Sequence, residues 1–116
     1  EMNVYRSREG FLLEAARIIK DRPVFDYNYE SYEVQFYLRR IVPVLTEVEE
    51  LNAILAEERG ETSFFIMPGR HLDRLRHECP ELSEHLEPVL ARTWTSATEP
   101  NRHKRLVLVE LKRHIH

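Results

Sequence analysis

Apolar residues near the start of the chain recur at the spacing of an amphipathic helix. They occupy positions i, i+1, i+4, i+7 and i+8 and are Phe11, Leu12, Ala15, Ile18 and Ile19. Ser7 can cap this helix, and Pro23 ends it because a proline disfavours helical geometry in the residue before it. The pattern predicts a helix over about residues 7 to 20, followed by a first strand over the apolar segment Val24 to Tyr27.

The next segment predicts a second helix and a strand at the edge of a sheet. Val34 and Leu38 lie four residues apart in a helix expected from Ser31 to about Arg39. The apolar run Ile41 to Leu45 contains Pro43, which has no backbone N–H to donate to a neighbouring strand. Because such a residue is tolerated where one side of the strand is unpaired, we expect this second strand to lie at a sheet edge.

A third helix and a buried third strand come next. Thr46 and Glu49 have the spacing of a capping box, in which each side chain accepts a hydrogen bond from the other residue's backbone N–H. The helix that they begin is expected to end near Gly60. Ser63 to Met67 is almost continuously apolar, which is typical of a strand covered on both faces. The Pro68-Gly69 turn then predicts the start of a fourth helix.

The last part of the chain predicts one more helical turn and two strands. Pro80 stops the fourth helix, and Leu82 and Leu86 indicate a further turn of helix. A polar loop, Ser96 to Lys104, joins the two final strands, Val89 to Thr95 and Leu106 to Leu111. We expect these two strands to form a hairpin.

This order of elements predicts the fold class. Parallel neighbouring strands need long crossover connections, and those are right-handed. The sequence therefore predicts a single α/β domain over residues 1 to 116, built as a three-layer α/β/α sandwich. Its sheet is expected to be mostly parallel, in the strand order 2-1-3-5-4, with a C-terminal antiparallel hairpin. The third strand takes the centre because its sequence is the most apolar.

Composition and charge narrow the classes of function. The 116 residues include 17 Lys and Arg and 20 Asp and Glu, a net charge of −3, with no concentrated basic run of the kind that binds nucleic acid. Cys79 is the only cysteine, so an intrachain disulfide and a cysteine-based zinc site are excluded. No apolar stretch approaches the roughly 20 residues that cross a bilayer. The beginning at Glu1, in a polar stretch, is typical of a fragment excised from a larger protein.

Candidate ligand-binding residues follow the first and third strands. With the order 2-1-3 the crossover direction reverses between these strands, and ligands bind beyond the carboxyl ends at such a point. The residues expected there are Asp26, Tyr27, Asn28, Tyr29, Arg70 and His71. Aromatic rings with a carboxylate and an amide resemble a sugar-binding surface, and Arg70 at the start of a helix can meet an anion. The alternative is that the tyrosines cover the sheet and that Arg70 pairs with Asp26 or Asp73.

The sequence offers no catalytic constellation. Its three glycines form no phosphate-binding loop, and neither an HExxH nor a GxSxG motif occurs. His71 and His77 are six residues apart, which does not place them on one helical face. We therefore predict no catalytic residue, no metal ligand and no cofactor in this chain, and a self-contained hydrolase fits poorly.

A second candidate surface lies around the loop before the final strand. Its cationic and imidazole side chains are Arg102, His103, Lys104 and Arg105. Each cation near an acidic lipid surface contributes on the order of 1 kcal/mol to binding. The cluster predicts contact with a membrane surface or with another part of a larger protein, and a solvated hairpin loop is the alternative.

Several segments, taken in order, resemble one family over about residues 8 to 112. They are Arg22 to Leu45, Glu49 to Leu51, Phe64 to Met67, Arg70 to Leu75 and Arg102 to Val109. They resemble the C-terminal soluble domain of polytopic GT-C-type glycosyltransferases that use polyprenyl-phosphate sugars, the dolichyl-phosphate-mannose–protein mannosyltransferase-like and aminoarabinose-transferase-like group. In that domain a strand ending in a tyrosine-containing turn leads into a helix with a Phe-Tyr-Leu-like end and then into a Pro-Val strand.

The resemblance implies a non-catalytic domain on the extracytoplasmic side of a membrane. A membrane-embedded portion would precede Glu1, and its loops would hold the acidic catalytic residues and the site of any divalent metal. The implied partners are that transmembrane portion and, through it, the polyprenyl-phosphate sugar and the acceptor. The expected function is to help position the acceptor or the donor headgroup. The alternative is a free-standing α/β module that binds a small polar or anionic ligand.

Overall fold

The structure, a computed structural model, describes residues 7–29, 32–57, 62–95 and 103–113. The helices are α1 (Ser7–Ile19), α2 (Tyr32–Leu38), α3 (Val48–Ala56), α4 (Gly69–Glu78) and α5 (Pro80–Ser83). The strands are β1 (Val24–Tyr27), β2 (Val44–Leu45), β3 (Ser63–Pro68), β4 (Leu86–Thr95) and β5 (His103–Leu111). Within these ranges no helix has the length and apolar character needed to cross a membrane.

The strands form one five-stranded sheet in the order β2-β1-β3-β5-β4, which confirms the predicted order. β1 pairs in parallel with β2 and with β3, whereas β5 pairs antiparallel with both β3 and β4. β4 therefore points in the same direction as the first three strands, and β5 alone opposes them. The sheet is mixed, and its last two strands are the predicted antiparallel hairpin.

Side chains along the central strands alternate between two hydrophobic cores. Phe64 and Ile66 of β3 lie in the core that α1 and α2 cover, which we call the α1/α2 layer. Phe65 and Met67 lie in the opposite core, which α3, α4 and α5 cover, the α3–α5 layer. This confirms the predicted three-layer α/β/α arrangement. It also explains the continuous apolar run in β3, because neither of its faces meets water.

The start of α3 differs by one residue from the prediction. Its capping box is formed by Glu47 and Glu50, not by Thr46 and Glu49. Glu50 Oε1 accepts hydrogen bonds from the backbone N–H groups of Thr46 and Glu47, each at 3.0 Å. One carboxylate thus satisfies two backbone donors that precede the helix. The described helix ends at Ala56, and the predicted end near Gly60 lies outside the described residues.

Several strand boundaries also differ. β5 begins at His103, before the predicted Leu106, and β3 extends past the predicted Met67 to Pro68. Leu86, expected in a helical turn, begins β4, where it pairs with Leu111 and is buried against the α3–α5 layer. β2 contains only the last two residues of the predicted run. Pro43 does not join β2, but its carbonyl accepts a hydrogen bond from the Asp26 N–H at 2.8 Å, so the contact with β1 extends past the strand end.

α1 and α2 end with residues in the left-handed conformation. Lys20 and Arg39 follow these helices with φ of 58° and 59°. The Arg22 side chain then bends back to α1: its Nε donates to the Ile19 carbonyl at 3.1 Å, and its Nη2 donates to the Ile18 carbonyl. The last carbonyls of α1 therefore find a charged donor, which compensates for their lack of intrahelical partners.

Candidate ligand-binding edge of the sheet

The carboxyl ends of β1, β2 and β3 meet at one edge of the sheet because these strands are parallel. α2 leaves this edge on one face and α3 leaves it on the other, since α2 packs into the α1/α2 layer and α3 into the α3–α5 layer. The crossover direction therefore reverses between β1 and β3, which is the position at which open α/β sheets bind ligands.

Tyr27 and His71 are in contact at this edge. Their ring centroids lie 6.0 Å apart with an interplanar angle of 82°, an edge-to-face arrangement. Tyr27 is the last residue of β1 and is buried in the core of the α3–α5 layer, whereas His71 lies in the first turn of α4 and is half-buried. The pair joins the end of β1 to the start of α4.

Burial and neighbouring charges shift the titration of both rings. Burial raises the pKa of the Tyr27 hydroxyl, Cys79 and Glu47 raise it further, and Arg74 opposes them. Burial lowers the pKa of His71, and the positive charges of Arg70 and Arg74 act in the same direction. The lowered pKa favours the neutral form of His71, which can donate one hydrogen bond and accept another.

Asp26 and Tyr29 lie on the opposite face of the sheet from Tyr27 and His71. Asp26 is 1% exposed and is the register partner of Ile66, which belongs to the core under α1 and α2. Its Oδ1 accepts a hydrogen bond from the Tyr29 N–H at 2.9 Å, and Tyr29 packs against that same core. Successive strand residues point to opposite faces, so the sheet separates residues that are adjacent in sequence. The structure does not bring the six candidate ligand-binding residues to one surface.

Asn28 connects the ends of two neighbouring strands. Its backbone N–H donates to the Leu45 carbonyl at 2.9 Å, and its Nδ2 donates to the Thr46 carbonyl at 3.4 Å. Its φ of 59° is left-handed, a conformation that asparagine tolerates better than most residues. Asn28 thus fixes the turn that carries the chain away from Tyr27.

Arg105 of β5 lies across the first turn of α4. Its Nη2 donates to the Gly69 carbonyl at 3.3 Å and to the Asp73 carboxylate at 3.2 and 3.4 Å. A Cβ at Gly69 would lie 2.1 Å from Arg105 Nε, so glycine is required for this approach. Asp73 also lies 3.9 Å from Arg76 Nη1. Arg70 is exposed and forms no ion pair with any residue in the described ranges.

The two candidate surfaces predicted separately share this edge. β4 runs parallel to β3, and the register partner of Pro68, at the end of β3, is Leu106. His103, Lys104 and Arg105 therefore extend beyond β3, on the side where α4 begins. Arg102 and most of the predicted loop lie outside the described residues. Of the four cationic or imidazole residues, the structure describes the side chain of Arg105, and this side chain forms an ion pair with Asp73.

Exposed positive charge lies on the α4 side of this edge, whereas Glu47, which helps to raise the pKa of Tyr27, lies at the start of α3. Arg70 and Arg74 are both exposed and lie four residues apart on α4, beside His71. Guanidinium groups bind phosphate and carboxylate oxygens in a bidentate manner, so the arrangement suits an anionic group. No three metal-ligating side chains are grouped in the part of the chain that the structure describes. Arg74 was not among the predicted residues, although its i+4 spacing from Arg70 could have indicated it.

We compared the chain with family models, with curated proteins and with solved structures. Nothing matches in any of the three comparisons. The resemblance to polyprenyl-phosphate-sugar glycosyltransferases therefore stays a prediction.

Proposed function

We propose that this chain is the extracytoplasmic, non-catalytic domain of an integral-membrane glycosyltransferase that uses a polyprenyl-phosphate sugar. The observation that carries the proposal is the succession from β1 to β2. β1 ends at Tyr27, α2 ends with Phe36-Tyr37-Leu38, and Pro43 stands directly before β2. This is the succession of strand, tyrosine turn, helix and Pro-Val strand on which the resemblance rests.

The role we propose for the domain is to help position the phosphate-bearing headgroup of the donor. Arg70 and Arg74 support this role, because they are exposed cations at the sheet edge where α/β folds bind ligands. α4 begins at Gly69, so its first backbone N–H groups add partial positive charge beside Arg70. The chemistry of bond transfer would belong to the membrane-embedded portion, which would also hold any divalent metal.

Donor kinetics of the full-length protein in membranes test this role. We expect Arg70→Ala with Arg74→Ala to raise the KM for the polyprenyl-phosphate sugar about tenfold, the effect of losing a charge-assisted contact. Arg76→Ala is the matched control, since Arg76 is exposed on the same helix but lies on another face. Equal effects of the two changes would contradict the role. A gene that encodes no hydrophobic helices before Glu1, or sugar transfer by the isolated chain, would contradict the proposal as a whole.

A free-standing module that binds a small anionic ligand is the second candidate. The observation that favours it is that the Tyr27 and His71 pair and the two exposed arginines all belong to this chain. Titration of the isolated chain with sugar phosphates, followed by NMR, separates the two candidates. The module requires appreciable binding with shifts at His71 and Arg70, whereas a positioning domain requires the membrane portion to complete its site.

A further inference from the structure

Exposed hydrophobic side chains are concentrated on one side of the sheet. Phe36 on α2 is 69% exposed and Leu13 on α1 is 46% exposed. Ile41, in the connection between α2 and β2, is 84% exposed. Val44 of β2, 40% exposed, lies on the same face of the sheet, because the adjacent Leu45 points into the opposite core. The described helices of the α3–α5 layer carry no large exposed hydrophobic side chain. Val89 of β4 is the remaining one in the described ranges.

Helix geometry places two of these side chains on the outer surface of the α1/α2 layer. Leu13 precedes the buried Ala15 by two residues, and Phe36 follows the buried Val34 by two residues. Two residues correspond to about 200° around a helix, so both side chains point away from the core. The core packing of α1 and α2 therefore leaves these apolar groups in water.

The same layer presents exposed cations beside the apolar groups. Arg17 lies one turn after Leu13, Arg39 lies three residues after Phe36, and Lys20 follows the end of α1. None of the three forms an ion pair with a residue in the described part of the chain. Two carboxylates of α1 are already engaged and are half-buried: Glu9 accepts from the Tyr37 hydroxyl at 2.9 Å, and Glu14 pairs with Arg92 at 2.5 Å. Among the acidic residues between 9 and 45 whose burial is described, Asp21 is the exposed one.

The α3–α5 layer has the opposite character. Its exposed charged side chains between residues 48 and 84, within the described ranges, are mostly carboxylates. They are Glu49, Glu50, Glu57, Asp73, Glu78, Glu81 and Glu84, against Arg70, Arg74 and Arg76. The two outer surfaces of the sandwich thus differ in both polarity and charge. A surface that carries negative charge over an apolar interior complements the cations and apolar groups of the α1/α2 layer. The same negative charge repels the carboxylates of the α3–α5 layer.

We propose that the outer surface of the α1/α2 layer binds an anionic phospholipid surface. Leu13 and Phe36 would insert at the level of the headgroups and acyl boundary, while Arg17, Lys20 and Arg39 would contact lipid phosphates. Apolar groups flanked by cations on one face are what interfacial membrane binding requires. The charge complementarity of this face favours lipid over a second copy of the chain, because two like cationic faces repel each other.

This surface is distinct from the carboxyl edge that carries Arg70 and Arg74. With the α1/α2 layer against the bilayer, the sheet would lie parallel to the membrane, and its carboxyl edge would face sideways along the membrane surface. Lipid binding can be measured on the isolated chain, and it does not depend on sugar transfer. It can therefore fail without affecting the proposed function, and the reverse also holds.

Vesicle co-sedimentation of the isolated chain tests the inference. We expect binding to vesicles of phosphatidylglycerol mixed equally with phosphatidylcholine, and much weaker binding to phosphatidylcholine alone. Leu13→Ser with Phe36→Ser should reduce the affinity about tenfold or more, since both side chains lose their apolar contact with lipid. Both residues are exposed, so circular dichroism should show an unchanged fold. Arg17→Glu with Arg39→Glu should reduce binding and its salt dependence.

Matched controls identify the surface that binds. Val89→Ser removes an exposed aliphatic group from β4, outside the α1/α2 layer, and should leave vesicle binding unchanged. Equal binding by the Leu13 and Phe36 variant would overturn the inference, as would loss of binding on Arg70→Ala with Arg74→Ala alone. A concentration-dependent dimer that the Leu13 and Phe36 changes dissociate, without vesicle binding by the unmodified chain, would assign the surface to a second copy and would also overturn it.

Discussion

Arg22 holds the end of α1 against β3, and its replacement gives the sharpest stability prediction. Its guanidinium donates to the Ile18 and Ile19 carbonyls, and its Cζ lies 4.7 Å from the centroid of the Phe64 ring. Its own carbonyl accepts from Arg40 Nη2 at 2.5 Å, a backbone contact that a side-chain substitution leaves in place. Arg22→Met keeps most of the aliphatic stem and removes the charged donors.

The magnitude follows from these contacts. Hydrogen bonds that involve a charged group contribute about 1.5 to 3 kcal/mol, and a cation over an aromatic ring contributes about 0.5 to 1 kcal/mol at an exposed site. The contributions share one half-buried guanidinium, so we expect Arg22→Met to lower the free energy of unfolding by about 2 to 3 kcal/mol. For 116 residues, with an unfolding entropy of about 2.1 cal/mol/K per residue, the midpoint falls by about 8 to 12 °C.

Thermal unfolding followed by circular dichroism measures this change. Arg22→Lys retains the charge but not the planar guanidinium, and it should lose about half as much as Arg22→Met, because a compact ammonium group cannot reach both carbonyls and lie over the ring at the same time. Arg17→Met is the control, since Arg17 is exposed in the last turn of α1. The reasoning is refuted if Arg22→Met costs no more than Arg17→Met, or if Arg22→Lys retains full stability.

Three further predictions concern other parts of the fold. Lys20→Gly should raise the free energy of unfolding by about 0.5 to 1 kcal/mol, because glycine adopts the positive φ without strain, whereas Lys20→Ala should give no gain in the same melts. The pKa of His71 is lower in the folded chain than in the unfolded chain, where it is about 6.5. The stability that the neutral His71 side chain contributes is therefore fully present above about pH 6.5, and it is lost as the pH falls through the pKa of the folded chain. His71→Gln should therefore reduce the pH dependence of urea unfolding between neutral and mildly acidic pH, and an unchanged slope would contradict this assignment. Gly69→Ala and Asp73→Asn should each cost less than about 1 kcal/mol, and their double-mutant cycle should show coupling because both displace Arg105; additivity would mean that the two changes do not act through a shared Arg105 contact.

Most of the fold could be predicted because the signals are local and agree with one another. β1 has the predicted bounds, and β3, which is apolar except for Ser63, lies at the centre of the predicted strand order. The errors fall where two local patterns compete. Thr46 and Glu47 both precede acidic residues at capping distance, and the choice depends on which carboxylate reaches two backbone donors. Leu86 continues a helical spacing, but pairing with Leu111, distant in sequence, decides its conformation.

The candidate site was harder to predict than the fold. The reversal point between β1 and β3 follows from the strand order, and the sequence therefore indicated the correct edge for Tyr27 and His71. The face on which each side chain lies follows from strand alternation, which separates Asp26 from Tyr27. The contact of Arg105 with Asp73 joins β5 to α4 and depends on a register that no local pattern contains.

The position of β5 has a consequence for how the chain acquires its structure during synthesis. β5 is the last strand along the chain, yet it lies between β3 and β4 and binds both of them. A nascent polypeptide that ends before residue 103 would have β3 with one unpaired edge and β4 with no paired strand. The sheet therefore closes only after β5 has left the ribosome, and until then an unpaired strand edge is available for aggregation or for a chaperone.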